Sequence, residues 1–264
     1  MINSHIIIPR LLLKYFEIEH FFWYYDIDGG FIAKGNATSF NTEKGYYSDE
    51  IEQILSGGLE SPLSNLLKRY SGSILNEDDF EMSQKDILII KRFFYSLLCR
   101  NPQMVKQIKR YSVYYQFLPE VAQHGYAAVS GIKEGERQDV FEEYDVAFFV
   151  NHAETLFVLP NCGLYNLNLC GIQMMVSPVL PNLLFALKKN VSVKGPTIEL
   201  QRGVITEDSL IKQMNLQALK QQISMNGGGR IICSQKEELE RLKSEFQSNK
   251  SAFPCQEYFS QEKG

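Results

Sequence analysis

The chain has 264 residues, 44% of them hydrophobic and 22% charged, and a formal net charge of −4. That length can bury a substantial core, in one large domain or two intimate lobes. The negative sum excludes the broad excess of Lys and Arg on which whole-surface nucleic-acid binding depends.

In chain order, Pro9 suits the first turn of a helix, where its missing N–H would be unpaired anyway; Leu12, Leu13 and Phe16 then line one face. "HFFWYYDIDGGFIAKG" predicts a hairpin, since Gly29-Gly30 tolerates the positive φ of a tight turn. Ser48 can cap a helix through Ile51 and Leu55, with Gly57-Gly58 as its stop. Ser61-Pro62 reads as a cap plus a proline at the first position of another helix. Ser83 with Asp86 resembles a capping box ahead of "ILIIKRFFYSLLCR". Ile87, Ile90, Phe94 and Leu97 share one face of that helix, which Asn101-Pro102 ends. "QMVKQIKRYSVYYQFL" predicts a further helix, whose Lys106, Lys109 and Arg110 form a local basic face with Arg92 and Arg100 upstream. Such a run is more often a solvated surface than a binding patch.

From about Asp145 the pattern turns to short apolar runs, "VAFFV", "TLFVLP", "IQMMVSP" and "NLLFAL", separated by Asn, Gly and Pro, as in a buried sheet. Thr206 then caps a helix closed by "NGGG"; "RIICS" is a last strand, and Ser234 with Glu237 makes a capping box for the final helix. The fold class is α+β: an N-terminal helix and hairpin, a central helical region, then an antiparallel or mixed sheet with C-terminal helices. The expected organisation is a single domain over 1–247, or two intimate lobes within it, about 1–125 mainly helical and 126–247 sheet plus helices. A polar tail, 248–264, follows.

No secretory signal is apparent, because Pro9 and Arg10 break the apolar run at 6–13. "MMVSPVLPNLLFAL", cut by Pro178 and Pro181, fits strands better than a membrane span. Five cysteines without tight spacing argue against a disulfide framework and for a reducing, cytoplasmic setting. "HAE" at 152–154 has the start of a zinc-deaminase motif but lacks the paired cysteines that would complete the ligand set, so no metal is expected. "NGGGR" at 226–230 follows a helix rather than preceding one, which suits a C-cap and turn better than a phosphate loop. No nucleophile motif and no cofactor motif occurs.

Several segments, in order, resemble one family, domain of unknown function four-two-three-eight. His5, Pro9, Leu13 and Phe16 match its opening His-x-x-x-Pro-x-x-x-Leu-x-x-Phe pattern. "FFWYYDIDGGFIA" matches its strand pair, "SDEIEQIL" its acidic helical stretch, and Arg100 to Pro102 its Arg-x-Pro at a helix end. "LFVLPNCGLYN", "SPVLPNLLFAL", "QMNLQALKQQ" and "RIICS" follow as its later strands and helix do. One position departs: where the family has Ser-Asp-Asn-Pro, this chain reads Leu159-Pro160-Asn161-Cys162, so Asn161 stands for the acid. An amide cannot transfer protons as a carboxylate does. The resemblance implies an intracellular bacterial protein and brings no established activity.

Two readings of His5 follow. In one, it sits at the start of the first helix with its imidazole bonded to a backbone carbonyl. In the other, His5, Arg100 and Asn161 are the candidate catalytic residues of one pocket, with Arg100 and Asn215 binding the ligand. Arg presents a fixed fork of donors suited to phosphate or carboxylate, and His titrates near neutrality. The expected partner is then a nucleotide, another phosphate-bearing ligand or nucleic acid, with no cofactor and no membrane. A stress or phage-defence role fits that reading, though no residue demonstrates it. The competing expectation is a non-catalytic protein-binding or assembly module, using the aromatics at 21–25 as its surface; core packing is their other explanation.

Overall fold

A computed structural model describes residues 3–5, 8–44, 46–101, 143–169, 171–189, 201–226 and 228–248. The helix expected over 103–118, with its basic face, and the tail from 249 lie outside the described residues. The fold is α+β, with an N-terminal helix and hairpin. Its elements are β1 (Asn3–His5), α1 (Arg10–Phe16), β2 (Phe22–Asp26), β3 (Phe31–Gly35), β4 (Thr42–Lys44), α2 (Asp49–Leu55), α3 (Ser61–Leu75), α4 (Gln84–Arg100) and β5 (Tyr144–Asn151). There follow β6 (Leu159–Pro160), β7 (Tyr165–Leu169), β8 (Ile172–Leu180), β9 (Leu183–Lys189), β10 (Gln201–Ile205), α5 (Asp208–Asn226), β11 (Arg230–Cys233) and α6 (Lys236–Ser248).

The strands form a five-stranded sheet, β10-β5-β9-β8-β7, and a four-stranded sheet, β3-β2-β11-β6; β1 and β4 pair separately. The larger sheet is mixed, because β10 runs parallel to β5 while its other pairs are antiparallel. Alternate side chains of a strand face opposite ways, and here they enter two different cores. Val146, Phe148 and Val150 of β5 join Leu12, Phe16, Leu63 and Phe94 from α1, α3 and α4. Ala147 of β5 joins Ile211, Leu219, Leu239 and Leu242 from α5 and α6. β11 divides likewise, Ile232 to the first core and Ile231 and Cys233 to the second. The β layer therefore lies between two helical layers. β2, from the amino end, pairs with β11, from the carboxyl end, so both ends of the chain build one sheet.

This position accounts for the aromatic hairpin. Phe22 and Tyr24 pack into the first core, Trp23 and Tyr25 into the second. Among the described residues no helix is long and apolar enough to cross a membrane.

Several local expectations need correction. Gly57-Gly58 does not stop α2; a π turn, Ser56–Glu60, carries the chain straight into α3. Ser61 is consequently inside a helix, in αR geometry, and caps nothing. The first bonds of α5 go to the Glu207 carbonyl, one residue after Thr206. Ser234 donates its hydroxyl to the Phe16 carbonyl (2.8 Å) and so ties α1 to β11. Of "TLFVLP", only Leu159–Pro160 is strand. The caps at Ser48 and Ser83 form as expected, accepting from Ile51 N (3.3 Å) and Asp86 N (3.2 Å).

Candidate functional site

The site is organised by a stretch whose sequence gives little notice of it, 36–47. Asn36 closes a turn by accepting from the Thr38 and Ser39 N–H groups (3.0 and 3.1 Å). Asn41 then adopts a positive φ of 50°, which Asn tolerates better than most side chains. Its amide bridges two distant segments. Nδ2 donates to Asn161 Oδ1, and Oδ1 accepts from Arg230 Nη1 at 2.6 Å. Arg230 Nε donates to Asp26 Oδ2 at 3.0 Å, and its guanidinium carbon lies 5.3 and 5.2 Å from the ring centroids of Tyr24 and Phe40. Asn161 is held through its backbone too, its N–H donating to the Arg230 carbonyl (2.9 Å).

One residue beyond Asn41, β4 begins, and Thr42 is the register partner of His5. His5 thus lies in a strand rather than at the start of a helix; its side chain is outside the described residues. Five residues further, buried Tyr47 meets Arg100, whose guanidinium carbon is 5.8 Å from the phenol ring centroid. Arg100 is the last residue of α4, only 3% exposed. Burial pushes the Tyr47 hydroxyl above its ordinary pKa, against the opposing pull of Arg100. Half-buried Glu60, at the end of the π turn, behaves alike: burial raises its pKa most, Arg100 opposes, and Glu52 adds a second raising contribution. Glu52 Oε1 is itself buried with no hydrogen-bond partner among the described residues.

His5, Arg100 and Asn161 are therefore each attached to the 41–47 stretch, whose six steps span at most about 20 Å when extended. A second link joins two of them. Gly163, two residues after Asn161, has a φ of 77°, and a Cβ there would stand 2.8 Å from Leu97 of α4, one turn before Arg100.

Asn215 belongs elsewhere. It is fully buried under α6, where Oδ1 accepts from Val158 N (3.0 Å) and Nδ2 donates to Leu156 O (2.9 Å) and Glu238 Oε1 (2.8 Å). Arg241 Nη2 completes the group by donating to the same Glu238 oxygen (2.7 Å). These bonds use the amide's acceptor and both its donors, so Asn215 fastens a buried loop to two helices.

The reactive alternatives recede. Burial pushes the Cys162 thiol up to about 11 and the Cys233 thiol up to about 12, so neither is a ready thiolate. His152 pairs with Glu77 at 3.3 Å, and among the described residues no group of three metal-ligating side chains gathers. Asp28 fills the space beside Gly228 and Gly229, its Oδ2 accepting from Gly229 N at 2.9 Å. What the site offers is a buried guanidinium, a carboxyl whose pKa burial raises, a phenol and a pair of linked amides. No family model matches the chain, and no curated protein or solved structure does.

Sequence reasoning put forward His5, Arg100 and Asn161 as candidates through the family resemblance. It missed Asn41, Tyr47, Glu52 and Glu60, and it read Arg230 as the end of a turn and the start of a strand, with no part in a site. Asn41-Thr42 ahead of "YYSDE" offers no local pattern, because the β1–β4 pairing that gives it meaning joins segments far apart in sequence.

Proposed function

We propose that the chain binds a small phosphate-bearing ligand, of nucleotide type, along the stretch that joins the Asn41–Asn161 amides to the Tyr47–Arg100 pair. The carrying observation is that a single short stretch, 41–47, contacts or pairs with the segments of His5, Arg100 and Asn161. A guanidinium offers paired donors to phosphate oxygens, and held against a ring it has little freedom to lose on binding. Glu60 fits an anionic ligand when protonated, since its carboxyl then donates a hydrogen bond instead of repelling the phosphate. The buried thiols of Cys162 and Cys233, which form no disulfide, support a reducing compartment such as the cytoplasm.

The test is thermal unfolding with a panel of nucleoside mono-, di- and triphosphates and inorganic phosphate. A ligand present at a hundred times its Kd stabilises by about 2.7 kcal/mol, which a melting curve resolves. At least one compound should raise the midpoint of the wild type. Arg100→Lys should weaken the affinity read from that response roughly tenfold or more, because it keeps the charge and loses the fork. Asn161→Ala, at a half-buried turn, gives an independent variant if Arg100→Lys folds poorly. A panel that moves nothing at millimolar concentration, or a response both variants keep in full, would refute the proposal.

A further inference from the structure

β3 is the outer strand of the four-stranded sheet, paired with β2 on one side. Among the described residues its other edge has no backbone partner. Unpaired strand edges are templates for an added strand, and a helix alongside turns such an edge into a binding groove. A groove of about 480 Å³ lies here, with Phe31 and Ile32 of β3 on one side and Lys236, Glu240, Lys243 and Gln247 of α6 on the other. Those α6 residues recur at helical spacing and so present one face. Phe31, 46% exposed, leaves apolar surface open to an occupant.

The charge at this place is opposite to that of the chain as a whole. Lys236 is paired with Glu240 at 2.8 Å. Lys34 and Lys243 have no carboxylate within ion-pair distance among the described residues. Lys34 Nζ stands 3.7 Å from the Phe21 ring centroid and 5.0 Å from that of Trp23, and Lys236 Nζ stands 5.4 Å from Trp23. Two ammonium groups, Lys236 and Lys243, and one carboxylate, Glu240, thus line the groove, and Lys34 stands on the same edge strand beside Trp23, while the chain's formal charge is −4.

We infer that this groove docks an extended acidic peptide segment of a partner protein. The segment adds to β3 as a further strand, lays alternate apolar side chains on the Phe31 face of the sheet, and directs the intervening carboxylates to Lys34 and Lys243 on the Ile32 face. A single-stranded nucleic acid fits less well. Lys34 and Lys236 already lie against the aromatic rings on which bases would stack, and the open backbone edge complements a peptide backbone.

The site is independent of the phosphate site and is tested separately, by fluorescence anisotropy with a fluorescein-labelled peptide of about ten alternating Val and Glu residues. Saturable binding is expected, with a change in emission from Trp23, the only tryptophan in the chain. The double reversal Lys34→Glu with Lys243→Glu should weaken it roughly tenfold or more, with an unchanged melting midpoint showing that the fold is intact. An alternating Val–Lys peptide should not bind, and N-methylation at every second residue should abolish binding by removing backbone donors. Lys243→Glu alone serves if the double variant is unstable. Peptide binding that survives both charge reversal and N-methylation overturns the inference. So does an oligothymidylate that binds where the acidic peptide does not, or a charge-dependent self-association without peptide binding.

Discussion

At Glu60 and Asp86 the fold acts on two carboxyl groups in opposite directions. Burial works to raise the pKa of Asp86, but hydrogen bonds from Ser83 and Tyr70 and the charge of Arg69 outweigh it and hold the carboxyl below the usual range. Its contribution to stability is present above the unfolded pKa and lost as pH falls through the folded one. For Glu60, burial outweighs Arg100 and the pKa is raised. Between the unfolded and folded pKa values the native protein keeps a proton that the unfolded chain has released, so stability falls as pH rises through that window. Glu60→Gln removes only this slope. The wild-type melting midpoint should therefore decline relative to that of Glu60→Gln as pH is raised from about 4 towards neutrality. Parallel midpoint curves would mean that the carboxyl titrates alike in both states.

The π turn at Ser56–Glu60 shows how an element can be misread residue by residue. Gly57-Gly58 carries a helix-ending pattern, yet Leu55, Leu59 and Leu63 are all buried in one core, and their packing keeps the chain helical across the glycines. A π turn takes in one residue more than an α turn. Deleting Gly57 should restore α geometry and leave α2 and α3 nearly in register, because four α residues turn the chain about as far as the five π residues do. Leu59, buried at the centre of the turn, is the sharper test. Leu59→Ala should cost about 2–5 kcal/mol in urea unfolding with the far-UV helical signal kept. Undiminished stability would mean that the turn has no part in packing.

The elements legible in the sequence are those whose causes are local. Pro9 ahead of Leu12, Leu13 and Phe16, the Ser48 and Ser83 caps, and the glycine hairpin after β2 depend on residues within a few positions. The misread ones depend on distant partners. Ser234 has the form of a cap, but the Phe16 carbonyl, 218 residues away, takes its hydroxyl. The site divides along the same line: Arg100 stands out because Asn101-Pro102 marks its helix end, whereas Asn41 and Tyr47 matter only through β1–β4 pairing and contacts with Asn161 and Arg100.

Over the whole molecule, the β layer sets the cooperativity. Both sheets contribute alternate side chains to both cores, so neither core can open without exposing one face of strands whose other face is still buried. The β2–β11 pairing extends this dependence to the two ends of the chain. Ile231 and Ile232 allow a direct comparison: neighbours in sequence, both fully buried, they enter opposite cores. Truncating either to Ala should cost about 2–5 kcal/mol. If the layer couples the cores, each variant unfolds in one transition, with Trp23 emission and far-UV ellipticity changing together, since Trp23 packs on the Ile231 side while ellipticity reports on every layer. Cores that behaved independently would give a different result for Ile231→Ala, with Trp23 emission changing at lower denaturant than the ellipticity. For Ile232→Ala the order would reverse, because the helices on its side contribute ellipticity and carry no tryptophan.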